Sequence, residues 1–112
     1  MLVYKICDAT LWEAAIEAGE FKGAEIDLSD GYIHFSSAEQ MRETAAKHFA
    51  GREDLVIIAV DAEALGHEMK WEPSRGGALF PHLYRSLKIS EAVWLESLPL
   101  VDGAHIFPAK AV

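Results

Sequence analysis

The sequence predicts a single α+β domain over residues 1–112, with two main helices in the N-terminal half and strands after them. Three observations lead there. Two helix-start spacings, Thr10 to Glu13 and Ser37 to Gln40, each precede apolar residues at helical intervals. A continuous apolar run at 55–60 is rich in β-branched residues, the mark of a strand buried on both faces. After residue 66, Gly and Pro cut the chain into short alternating segments. With 51% hydrophobic and 25% charged residues, this is the composition of a folded globular chain. A chain of 112 residues buries about two-thirds of its unfolded surface, enough for one core.

In order along the chain, residues 2–7 alternate loosely and read as a first strand. The Thr10–Glu13 box opens a helix with Leu11, Trp12, Ala15 and Ile16 inward, stopped by Gly19. Residues 20–31, rich in Gly and Asp, read as a loop, and 32–36 as the next strand. Ser37 and Gln40 open the second helix, on which Met41, Ala45, His48 and Phe49 share a buried stripe that ends at Gly51. The run 55–60 is the central strand, and Asp61 caps a single turn ended by Gly66. Segments 67–72, 79–84 and 92–98 read as strands, with a Gly-rich break at 73–77, and the tail adds one more short strand.

Charge and cysteine count exclude several functions. Ten Lys and Arg against 18 Asp and Glu give a net charge of -8, with no basic stripe, so neither nucleic acid nor an anionic membrane is expected as a partner. The single cysteine, Cys7, permits no internal disulfide and no multi-cysteine zinc site. No basic stretch precedes an apolar run at the start, so a cytoplasmic, bacterial-type protein is expected. HExxH, CxxC, P-loop and GxSxG patterns are absent.

Chemistry concentrates in two segments. In Gly31-Tyr32-Ile33-His34-Phe35-Ser36-Ser37, alternation puts Ile33 and Phe35 on one face and Tyr32, His34 and Ser36 on the other. In Phe80-Pro81-His82-Leu83-Tyr84, alternation groups Phe80, His82 and Tyr84. Two strands that each present a histidine beside aromatics can line one cleft, holding a flat ring by stacking and its polar edge by hydrogen bonds. A solvated sheet face, or core packing of the aromatics, would give the same pattern. Trp71 and Glu72 precede the Gly-rich break. Glu72 could act as a general base or accept a ribose hydroxyl, and Trp71 could form part of the ligand site or of the core. Arg75 on the Gly-rich loop could reach an anion. His34 and His82 have no third ligand at a recognised spacing, so no metal is expected. His48 reads as a hydrogen-bonded core histidine.

These two segments, with Trp12-Glu13, Ala18-Gly19-Glu20, Asp61, Trp71-Glu72-Pro73 and Asp102-Gly103, resemble the uncharacterised bacterial family catalogued as domain of unknown function 952. The resemblance runs from Tyr4 to Pro108. It implies an ADP-ribosyltransferase-like fold, a mixed, split β-sheet that holds NAD in a cleft between its halves. The implied ligand is a nucleotide of the NAD class, as substrate rather than resident cofactor, and the implied activity is ADP-ribosyl transfer. In that frame His34 and Glu72 are the catalytic candidates, while Tyr32, His34, Ser36, Trp71, Phe80, His82 and Tyr84 bind the ligand. The chain departs from the family pattern at Lys5, where histidine is expected, and at Arg85-Ser86, where Gly-Pro is expected. A non-catalytic small-ligand sensor and a protein-interaction module are the competing functions.

Overall fold

The structure, a computed structural model, describes residues 1–111 except for the Arg75 side chain, so the reading of Arg75 as an anion contact lies outside the described residues. The described elements are β1 (Leu2–Asp8), α1 (Ala9–Ala18), β2 (Glu20–Phe21), α2 (Glu25–Asp30), β3 (Ile33–His34), β4 (Ser36–Ser37), α3 (Met41–His48), β5 (Leu55–Asp61), β6 (Met69–Pro73), β7 (Leu79–Leu83), β8 (Leu87–Lys88), β9 (Ala92–Leu98), β10 (Leu100–Val101) and β11 (Ala104–His105).

The apolar run becomes β5, flanked by β1 and β9 in a four-stranded sheet of order β4-β1-β5-β9. Its Ile57, Ile58, Ala59 and Val60 are wholly buried, as a strand covered on both faces requires. One face packs against α1 and a second, three-stranded sheet of order β3-β7-β6, through Trp12, Ala15, Ile33, Phe35 and Leu83. The other face packs against α3 and the C-terminal tail, through Tyr4, Met41, Ala45 and Leu98, with Phe107 at the margin. Two ribbons, β2-β8 and β10-β11, complete the fold.

Residues 33–37 join the two sheets. Ile33 and His34 pair with Leu83 and His82, and the Phe35 N–H donates to the Pro81 carbonyl at 2.9 Å. Ser36 and Ser37 then cross to pair with Tyr4 and Val3. Beyond Tyr4 the sheets part, and Lys5 stands at the fork.

Several expectations change. Every described strand pairing is antiparallel, so the mixed sheet is corrected; parallel pairs need long crossover connections that this strand order does not use. The two main helices become three, because residues 20–31 form β2 and α2 rather than a loop. The strand expected at 32–36 is two short pieces, broken at Phe35 where the chain changes sheet. Helix α1 starts at Ala9 with Asp8 at its N-cap, so Thr10 is inside it, and Ile16 is exposed. The Ser37–Gln40 bonds form, Ser37 N–H donating to Gln40 Oε1 (3.0 Å) and Gln40 N–H to Ser37 Oγ (3.3 Å), but they close the turn before α3, which starts at Met41 with Gln40 at its N-cap. His48 is exposed on α3, because the stripe that packs consists of Met41 and Ala45, with Phe49 at its margin. No described helix is long and apolar enough to cross a membrane.

Candidate functional site

The register of the three-stranded sheet gathers most of the expected residues on one face. His34 stands opposite His82, Lys70 opposite His82, and Glu72 opposite Phe80. Alternation adds Tyr32 and Tyr84. The Tyr32 ring lies 4.2 Å from the His82 ring, 4.7 Å from His34 and 5.2 Å from Tyr84, centroid to centroid. His34 and His82 meet edge to face at 5.4 Å. Trp71 is not part of this group. It pairs with Pro81, its neighbours Lys70 and Glu72 turn toward Tyr84, and it therefore points from the reverse face, 37% exposed. Ser36 also leaves the group, because the break at Phe35 hands it to the four-stranded sheet, where its hydroxyl meets Thr44 Oγ1 at 3.0 Å.

Glu72 organises one half of the face. Its Oε1 accepts the Tyr84 hydroxyl at 2.7 Å and the His82 Nδ1–H at 2.9 Å. These bonds from Tyr84 and His82 hold the Glu72 carboxyl below the usual carboxylate range. The same bond pushes the Tyr84 hydroxyl up to about 12. A carboxylate only accepts, so Nδ1 carries a proton toward Glu72, and in the neutral form of the ring Nε2 is left as an acceptor. His82 is 2% exposed, and Nε2 has no hydrogen-bond partner among the described residues. An unpaired buried polar atom costs about 1–3 kcal/mol, so Nε2 lowers the stability of the free protein.

The other half is built on Asp27, which the sequence reading placed in a loop. Its Oδ2 accepts from Lys5 Nζ (2.7 Å) and the Ala24 N–H (2.7 Å), and its Oδ1 accepts from the His34 ring Nδ1 (2.6 Å) and the His34 N–H (3.0 Å). Burial raises the Asp27 carboxyl, but the bonds from His34 and Lys5 outweigh it and bring the group to about 2. His34 Nε2 meets Asp30 Oδ2 at 3.0 Å, so carboxylates grip the ring from both sides. Lys5 itself is 5% exposed, a buried cation at the fork. Helix α2 hides Asp27 while exposing Ile26 and Leu28, the reverse of the pattern by which helices are read from hydrophobicity. No periodic signal in the sequence marks Asp27, which alone reads as a surface charge.

Between the sheets runs a cleft of about 910 Å³, lined by Lys5, His34, Ser36, Phe80 and His82 among others. That volume lies in the range of small-molecule sites. Cys7 also borders it, but burial pushes its thiol up to about 12, leaving little reactive thiolate. At the edge of the three-stranded sheet, Arg85 donates to Glu68 (2.9 Å) and through two nitrogens to Glu91 (2.9 and 2.8 Å), bracing the turn where the resemblance leads one to expect Gly-Pro.

Comparison with known proteins agrees with this architecture. Residues 6–95 match the family model described as "Protein of unknown function (DUF952)". The X-ray crystal structure of protein CC0527 from Caulobacter crescentus is 51% identical, with a TM-score of 0.91, over 95% of this chain and 94% of that one. The solution NMR structure of CC0527 gives 51% identity and a TM-score of 0.84, over 93% and 90% of the two chains. No curated protein matches. With the match spanning most of its length, the chain belongs to the DUF952 family of proteins of unknown function.

Proposed function

We propose that this protein binds a small ligand with a flat ring in the cleft between its sheets, and that the ligand is an NAD-like nucleotide. The observation that carries the reading is the convergence of Tyr32, His34, His82 and Tyr84 on one sheet face, with two of them, His34 and His82, lining the cleft. Aromatic and imidazole rings stack on flat heterocycles, and Lys5 lines the same cleft.

Binding without turnover is favoured over ADP-ribosyl transfer. Transfer needs a carboxylate directed at the ribose, where positive charge develops. The three carboxylates that touch the site's histidines are engaged within the protein: Asp27 by Lys5 and His34, Asp30 by His34, and Glu72 by His82 and Tyr84. Glu72 is therefore a positioning residue in this reading, and the site acts as a sensor. Titration calorimetry with NAD and with ADP-ribose, paired with an assay of nicotinamide release, tests it. Saturable binding without release is expected. A flat titration at millimolar ligand removes the nucleotide, and nicotinamide release that Glu72→Gln abolishes would establish glycosidic-bond cleavage, to water or to an acceptor, and overturn the sensor reading.

A further inference from the structure

We infer that His82 Nε2 is the anchor for a ligand hydrogen-bond donor and that Tyr32 is the gate above it, so the ligand is a flat ring bearing an N–H donor, as in a carboxamide or ring-amino group. The inference rests on the binding reading above and names the chemistry it selects.

Three facts combine. The Glu72 carboxylate fixes one edge of the His82 ring at 2.9 Å and leaves Nε2 as the buried, partnerless edge. His82 borders the cleft, so a ligand there is beside it. Of the rings gathered at His82, two are held by their polar atoms: His34 by Asp27 and Asp30, and Tyr84 by Glu72. The Tyr32 hydroxyl has no hydrogen bond among the described residues, and Tyr32 sits directly after Gly31 at the corner between α2 and β3. Tyr32 is thus the ring that can swing aside at least cost. Its departure uncovers the face of the His82 ring, and a ligand donor that enters from the cleft in the plane of that ring meets the Nε2 acceptor. A ligand lacking a donor would leave Nε2 as unsatisfied as before, and sites built this way discriminate strongly against such analogues.

Long-range proton–nitrogen NMR of the His82 ring tests this, with nicotinamide and N,N-dimethylnicotinamide as probes that differ in the amide N–H donor. In the free protein Nδ1 carries the proton and Nε2 is bare. Nicotinamide moves the Nε2 resonance and binds at least about fivefold more tightly than its dimethyl analogue. In His82→Asn, whose amide can still donate to Glu72, that preference disappears. Tyr32→Ala retains nicotinamide binding. A proton on Nε2 in the free protein, equal responses to the two probes, or loss of binding in Tyr32→Ala each overturns the inference. Silence of His82 toward nicotinamide, with NAD still perturbing the cleft, overturns the anchor but spares nucleotide binding. Silence toward both removes both.

Discussion

Asp27 is the residue on which the site's geometry most depends, because one carboxylate pairs a buried lysine and orients a histidine. Removing one partner of a buried ion pair leaves the other charge unpaired, at a cost of about 3 kcal/mol or more. Asp27→Asn should lose that much in urea denaturation at neutral pH; a loss under 1 kcal/mol would contradict the role. The same residue sets an acid limit. Its carboxyl lies at about 2, against an ordinary 3.8, so on acidification the unfolded chain takes up the proton first. The associated stabilisation, about 2 kcal/mol, is complete above roughly pH 4 and is lost as pH falls toward 2. The variant should lack that step when stability is compared at pH 5 and pH 3. Among the site residues, His34, His82, Tyr32 and Tyr84 were legible because strand alternation alone puts them on one face. Lys5 and Asp27 were not, because a buried ion pair leaves no periodic trace and each partner alone reads as a surface charge.

At the scale of elements, α2 is the piece that delivers Asp27, and two glycines control its placement. Gly23 has φ +121°, and a Cβ there would stand 2.6 Å from Asp27 Cβ, inside any real contact. Gly31 has φ +87° with open space around the missing Cβ. Gly31→Ala should therefore cost only the left-handed backbone penalty, about 1–2 kcal/mol. Gly23→Ala must in addition displace Asp27, and should approach the loss predicted for Asp27→Asn; equal melting temperatures for the two glycine variants would contradict this. Strands β5 and β9 were readable, the first from a run too apolar to be half-exposed and the second from its alternation. Helix α2 was not, since six residues that expose Ile26 and Leu28 defeat any amphipathic reading. The division of β3 from β4 was equally hidden, because changing sheets at Phe35 leaves the polar alternation of 32–36 intact.

At the scale of the whole molecule, the two sheets share one continuous segment, residues 33–37, and diverge beside Lys5 to form the cleft. Chain order and hydrophobic pattern were enough for one α+β domain, but sheet direction depends on which strands become neighbours, and no single-sequence signal reports that. The molecule also offers a second concavity of about 450 Å³ between α3 and the C-terminal ribbon, lined by Arg42, Ala46 and Phe107 among others, which serves as an internal control. A backbone NMR titration with NAD tests the central claim most directly. The account predicts saturable shifts concentrated on Lys5, His34, Ser36, Phe80 and His82, with Arg42, Ala46 and Phe107 unmoved. Shifts confined to the second concavity, or none at millimolar NAD, would contradict it.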